Sequence, residues 1–120
     1  GKTVFFGNTA ACARCHTWNG EGHAVGPDLS DIGAKFGRDG LFDAVLNPSA
    51  GIAFGYEPWV ITTKAGESYS GFVVGDGDPV ILKEVSGEQR LLSAKDIADR
   101  RRSNLSLMPD NIALGMSPQD

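Results

Sequence analysis

The chain has 120 residues and a mass of 12.7 kDa, so residues 1–120 are predicted to form a single domain. Its net charge of −4 and its pI near 5.0 argue against a nucleic-acid binder, because such proteins normally present a basic face to phosphate. No run of about 18 apolar residues occurs, so no transmembrane segment is predicted in this chain.

The first half of the chain is predicted to contain two short helices and one long loop. Residues 2–8 hold three adjacent apolar side chains and indicate the end of a helix. Residues 19–33 are rich in Gly, Asp and Pro, which is typical of a loop. Residues 38–46 place their apolar side chains at helical spacing, and the pattern stops at Asn47-Pro48. These residues are therefore predicted to form a short amphipathic helix.

The second half is predicted to be mainly β-sheet. Four stretches are rich in Val, Ile, Thr and aromatic residues, and glycine-containing turns separate them: 57–64, 68–74, 79–84 and 89–93. They predict an antiparallel meander of about four strands, inserted at residues 57–93. Ser93 resembles a helix cap with Asp96 as an acid in the first turn, so a short helix is predicted from there through residues 97–102. The chain ends with residues typical of a helix start, beginning at Ser117-Pro118, which predicts a domain of a longer polypeptide or one with trimmed ends.

The pentapeptide at residues 12–16, Cys-Ala-Arg-Cys-His, carries the clearest chemical signal. Two thiols at this spacing add to the two vinyl groups on one porphyrin edge, and the adjacent histidine reaches the iron. The motif therefore predicts one haem c, bound covalently through Cys12 and Cys15, with His16 as an axial iron ligand. A large buried cofactor would also help to fill the core of a chain with sixteen glycines and six prolines.

Two other kinds of site use similar residues. A thioredoxin-like redox pair needs a strand before the motif and a long helix after it, whereas a glycine-rich loop follows here. A zinc site would recruit Cys12, Cys15, His16 and His23, but neighbouring Cys15 and His16 rarely both reach one tetrahedral metal. The sequence therefore favours haem over either alternative.

The second axial ligand has to come from elsewhere, and the donors are Met108, Met116 and His23. Met108 is favoured because it lies in an irregular, partly apolar segment that Pro109 stiffens, while the other two stay open as alternatives. A thioether opposite an imidazole raises the reduction potential relative to two imidazoles and leaves no open position for oxygen. Such a site transfers electrons rather than binding a gas.

Three segments resemble class I cytochromes c: residues 12–16, residues 26–29 (GPDL) and residues 106–109 (SLMP). The resemblance implies that the Pro27 carbonyl accepts a hydrogen bond from His16 and so fixes its ring and tautomer. It also implies that Met108 is the distal ligand. The expected fold is a mainly α cytochrome c-like core with an inserted antiparallel β-sheet, which is an α+β class.

The second half resembles, more narrowly, the haem-binding domain type described from planctomycetes and verrucomicrobia. The matching features between Trp59 and Met108 include residues 63–67 (TKAGE), Gly71 and residues 96–97. That type often lies at the end of large dehydrogenase-like proteins. The resemblance implies an electron-transfer domain, not an enzyme, which relays electrons from a dehydrogenase module to a downstream cytochrome. Its redox partners would meet it in the periplasm or elsewhere outside the cytoplasm.

Rival functions and two features of the second half stay open. A haem enzyme or ligand sensor would need a vacant distal side, and an interaction module would use haem mainly to fill its core. The predicted meander either shields the haem edge or docks a partner protein. Arg100, Arg101 and Arg102 form a solvated face, pair with a haem propionate, or dock an acidic redox partner.

Overall fold

The computed structural model covers residues 1–120 and divides the chain into two compact units. One unit is formed by Gly1–Ile52 together with Met108–Asp120, and the other by Ala53–Leu107. We call the first the motif unit, because it contains residues 12–16, and the second the sheet unit.

The motif unit is built from short helices and turns. Its elements in chain order are helix α1 (Lys2–Phe6), a 3-10 turn (Cys12–Arg14), strands β1 (Thr17–Trp18) and β2 (Glu21–Gly22), helices α2 (Ile32–Lys35) and α3 (Arg38–Leu46), and a second 3-10 turn (Ile112–Gly115). The helix predicted at 38–46 is confirmed with the same bounds. The predicted loop at 19–33 contains only β2 and the start of α2.

Few side chains fill the interior of the motif unit. Its buried apolar residues are Ala10, Val25 and Pro48. Phe42 and Leu46 belong to the apolar stripe of α3, yet they are 39% and 53% exposed. Because so little apolar surface is buried, side-chain packing alone gives this unit a weak core.

The sheet unit is a five-stranded antiparallel sheet. Its strands are β3 (Trp59–Thr63), β4 (Ser68–Asp76), β5 (Val80–Lys83), β6 (Gln89–Leu92) and β7 (Ile97–Arg102). They lie in the order β6-β5-β4-β3-β7, so the last strand returns to pair with the first strand of the sheet. Strands form at all four predicted positions between residues 57 and 93.

The short helix predicted after Ser93 and through residues 97–102 is wrong, because residues 97–102 form β7. Only a single 3-10 turn, Ala94–Asp96, follows Ser93, whose side chain makes no capping hydrogen bond. β7 pairs instead with β3 in antiparallel register. The backbone hydrogen bonds that β3 offers to a neighbour outweigh the helix signal of one cap residue. The sheet therefore has five strands, not four, and it ends at Arg102, not at residue 93.

The sheet unit closes its own hydrophobic core. Ile61 and Leu82 are completely buried, and Val80 and Leu92 complete the cluster. The side chains that pack against it are those of Trp59, Tyr69, Val73 and Ile97. A Cβ at Gly71 would lie 2.3 Å from the Lys83 carbonyl oxygen, so glycine is required where β4 and β5 come close.

The chain is α+β, and its strands hold more residues than its helices. Within the motif unit, helices and 3-10 turns hold most of the regular structure. None of the helices has the length and apolar character needed to cross a membrane.

Candidate functional site

The Cys-x-x-Cys-His segment is wound into one tight turn. The backbone N–H groups of Cys15 and His16 both donate to the Cys12 carbonyl, at 3.0 and 2.9 Å. Ala11 enters the turn in the left-handed region, with φ 54° and ψ 33°. Burial raises the pKa of the Cys12 thiol above its ordinary value, more than the hydrogen bond to its own backbone lowers it. The turn therefore holds both cysteines and the histidine in one compact segment.

The His16 ring is fixed by the segment that contains Pro27. His16 Nδ1 lies 2.7 Å from the Pro27 carbonyl oxygen and donates to it. This hydrogen bond sets the tautomer, because the proton on Nδ1 leaves the lone pair on Nε2 for a metal. A Cβ at Gly26 would lie only 2.8 Å from His16 Cε1, so the absence of a side chain there leaves room for the ring.

The loop after the motif lies against the motif turn, where a glycine and the hydrogen bonds of His23 fix its backbone. A Cβ at Gly22 would lie 2.2 Å from the His16 carbonyl oxygen, and φ at Gly22 is +113°, so this position requires glycine. The backbone N–H and the Nδ1 atom of His23 both lie 3.0 Å from the Ala13 carbonyl oxygen. His23 therefore supports the turn between the two cysteines.

An apolar cavity of about 680 Å³ lies within the motif unit. Its walls come from α1, from α3 and from the segment after Met108. All four apolar residues of the stripe on α3 line it: Leu41, Phe42, Val45 and Leu46. Cys12, Met108 and Met116 also lie in the wall, whereas Cys15, His16 and His23 do not. The structure therefore brings one motif cysteine and both methionines to the same cavity.

Two cations that the sequence did not single out also line the cavity. The Lys2 ammonium lies 5.7 Å from the centre of the Trp18 ring, and the Arg38 guanidinium lies 5.5 Å from that of Phe42. Each cation lies over an aromatic ring of the same wall, which is a favourable contact. The pair of Lys2 and Trp18 joins separate elements and carries no sequence signal, whereas Arg38 and Phe42 lie four residues apart on α3 and meet through helical spacing.

The two alternatives to haem find no support in this geometry. Helix α1 and not a strand precedes the motif, and the two-residue strands β1 and β2 follow it instead of a long helix. No group of three or more His, Cys, Asp or Glu side chains is placed to hold a metal ion. The zinc site that Cys12, Cys15, His16 and His23 would form is therefore not assembled.

The donor set fits a haem. The motif offers two thiols for the porphyrin edge and a histidine with a free Nε2, and the cavity offers a large apolar space with thioether sulfurs in its wall. These features define the class as a domain that attaches haem through a Cys-x-x-Cys-His motif.

The chain belongs to the cytochrome c family, whose family model matches residues 1–71. A comparison with curated proteins gave no match. Members of this family bind haem c and its iron covalently, and the chain is an electron-transfer module of that kind. The matched segment ends at Gly71 within β4, so it includes the motif and Pro27 but neither methionine.

Proposed function

We propose that the chain is a one-electron relay with a single haem c, attached through Cys12 and Cys15 and ligated by His16 and Met108. The observation that carries this proposal is the apolar cavity with Cys12 and Met108 in its wall. When bound, haem supplies an iron couple that takes up and releases one electron.

The role of His16 follows from its contact with Pro27. The Pro27 carbonyl holds the Nδ1 proton, so the ring keeps one orientation and Nε2 is available to the iron. A hydrogen bond of this kind also makes the ring a better electron donor to a metal. Gly26 leaves the space that the ring occupies.

Met108 is the proposed distal ligand among three candidates. His23 Nδ1 is held at the Ala13 carbonyl, on the motif turn itself. Met108 precedes Pro109 in the irregular segment that resembles the methionine loop of class I cytochromes c. Met116 follows a 3-10 turn, and its backbone N–H is bound to the Ala113 carbonyl. Both methionines line the cavity, so experiment has to separate them.

The apolar wall has a function of its own. Side chains such as Phe5, Leu41 and Val45 would cover the bound haem with apolar surface. An apolar environment raises the reduction potential of an iron centre, because it disfavours the more highly charged oxidised state. The wall therefore acts in the same direction as a thioether ligand.

The wider setting is proposed from the resemblance to the planctomycete and verrucomicrobial domain type. In that setting the chain is a module of a longer polypeptide, accepts electrons from a dehydrogenase module and passes them to a downstream cytochrome. It works in the periplasm or another compartment outside the cytoplasm, where haem c proteins operate.

Optical spectra of the oxidised holoprotein test the ligand assignment. We expect the long-wavelength methionine-to-iron charge-transfer band in the wild type and in Met116→Ala, and its loss in Met108→Ala. Persistence in Met108→Ala with loss in Met116→Ala would transfer the role to Met116. Absence of the band from the wild type, together with carbon monoxide binding to the reduced form, would indicate an open distal site and favour an enzyme or sensor.

A further inference from the structure

The sheet unit has one edge that is both long and basic. β7 pairs with β3 on one side only, and no backbone hydrogen bond joins its other side to any part of the chain. Four of its six residues are exposed: Ala98, Asp99, Arg101 and Arg102. At about 3.3 Å per residue, the strand offers an edge of roughly 20 Å. An open edge of this length can accept another strand.

Three consecutive arginines give this edge its charge, and their partners differ. Arg100 forms an ion pair within the sheet unit, because its Nη1 lies 2.8 Å from Asp76 Oδ1. Arg101 lies 3.2 Å from Asp99 Oδ2, but both side chains are more than half exposed. Arg102 makes no ion pair, and its guanidinium lies 5.2 Å from the centre of the Trp59 ring. One cation is therefore unpaired and a second is loosely paired.

Trp59 gives two of the three arginines, Arg100 and Arg102, a fixed geometry. Arg100 and Arg102 both lie over its ring, at 4.8 and 5.2 Å from the centroid. Charges that only protect a strand edge from aggregation need no such support. A guanidinium held over an aromatic ring loses less freedom when it binds a carboxylate, and its planar donors suit that partner.

The opposite edge of the same sheet is shorter and has no unpaired cation, although its one arginine, Arg90, also lies over an aromatic ring, 4.0 Å from the centre of Tyr69. β6 has four residues, its only charged side chain is that of Arg90, and Arg90 Nε is bound to Glu84 at 2.6 Å. Leu91 on this edge is 65% exposed. The two edges of one sheet thus differ in length, in charge and in the presence of an unpaired cation.

We propose that the β7 edge binds an extended, acidic segment of a partner protein, which adds to the sheet as a further antiparallel or parallel strand. Backbone hydrogen bonds to β7 would provide the affinity, and carboxylates that face Arg102 on one face of the sheet and Arg101 on the other would select the partner. The proposal names a class of partner for the proposed electron relay. It rests on the relay function only for the reason why the chain would bind such a partner. The binding itself does not depend on how the iron is ligated.

The test uses the reduced holoprotein and three synthetic heptapeptides in which pairs of adjacent charged residues alternate with pairs of Val, so that both faces of the added strand carry charge. One carries Glu, one carries Lys, and one carries Glu with every second backbone nitrogen methylated. NMR titration at low salt should show the first peptide shifting the amide signals of β7. The Lys peptide and the methylated peptide should each bind at least ten-fold more weakly.

Matched variants locate the site. Arg101→Gln with Arg102→Gln should weaken the Glu peptide about ten-fold, whereas Lys64→Gln with Lys95→Gln removes two exposed cations of the same unit outside β7 and should leave its affinity unchanged. If the methylated peptide bound as tightly as the unmethylated Glu peptide, strand addition would be wrong and the contact would be electrostatic only. Signal shifts on β6, or no binding at low salt, would overturn the site. None of these results would alter the haem spectrum, so they are distinguishable from failure of the relay.

Discussion

The two units of the chain differ in how much apolar side-chain surface they bury in a core. The sheet unit buries Ile61 and Leu82 completely among its own strands. The motif unit buries little besides Ala10, Val25 and Pro48, and its apolar side chains surround a cavity of about 680 Å³. One core consists of side chains, and we propose that the covalent haem would complete the other. Changes that remove haem and changes that remove core side chains should therefore affect different units.

The largest effect is expected when haem attachment is abolished with Cys12→Ala and Cys15→Ala. Without haem, the motif unit loses the group that fills its cavity, so amide exchange in α3 should accelerate by ~30-fold or more. Amides of β3 and β4 should exchange at nearly the wild-type rate, because their core needs no cofactor. Hydrogen-exchange mass spectrometry measures both in one sample.

Loss of protection across the whole sheet in that double variant would contradict the contrast between the units. A control with Cys12→Ala alone should keep one thioether bond and most of the protection in α3.

The next largest effect is expected in the sheet unit. Leu82→Ala removes a completely buried side chain of the sheet unit and should cost about 2–5 kcal/mol of its unfolding free energy. Leu91→Ala is the matched control, because Leu91 is 65% exposed and its loss should change stability by less than ~0.5 kcal/mol. Urea unfolding followed by Trp59 fluorescence in a Trp18→Phe background measures the sheet unit, and haem absorbance measures the motif unit. A haem spectrum changed by Leu82→Ala in the folded state would argue against separate cores.

A smaller effect is expected inside the motif unit from Gly26→Ala. The new Cβ would meet His16 Cε1 at 2.8 Å, so the ring has to move and the bond to Pro27 lengthens. We expect a loss of about 1–3 kcal/mol and a shifted reduction potential. Gly33→Ala in α2 is the control, since no atom lies within 4 Å of its Cβ, and it should stabilise the helix by ~0.5–1 kcal/mol. Unchanged potential in Gly26→Ala would contradict the positioning of His16 by this segment.

The smallest effect concerns the exposed pair of Asp76 and Arg100. The hydrogen bond from Arg100 lowers the pKa of Asp76 below its ordinary value of 3.8. A lowered pKa means that the pair stabilises the fold above pH 3.8 and that this contribution is lost as the pH falls through the folded-state pKa. Asp76→Asn should therefore be slightly less stable than the wild type at neutral pH and equal to it in strong acid. Thermal midpoints at several pH values measure the difference, and a gap that widens in acid would contradict the sign.

Local sequence predicted the elements whose signal lies within a few residues. The apolar stripe of α3 and the glycine-containing turns between the strands are signals of this kind. The error at 97–102 arose because this strand owes its conformation to pairing with β3, about 40 residues earlier in the chain. Three consecutive arginines carry no strand signal of their own.

Some residues of the candidate site were likewise predictable from the sequence, and others were not. The motif at 12–16 and the likeness around Pro27 were visible in the sequence, since the chemistry fixes their spacing. Lys2, Trp18 and Arg38 were not, because only the folded chain brings these three residues to one cavity wall. The contact of His23 with the Ala13 carbonyl likewise depends on the path of the loop between the two residues.

An optical redox titration of the holoprotein, matured with its haem-attachment machinery, tests the central claim most directly. The account predicts one haem c per chain, a single reversible one-electron transition and a reduced form that does not bind carbon monoxide. Absence of covalent haem, or a reduced form that binds carbon monoxide readily, would contradict it.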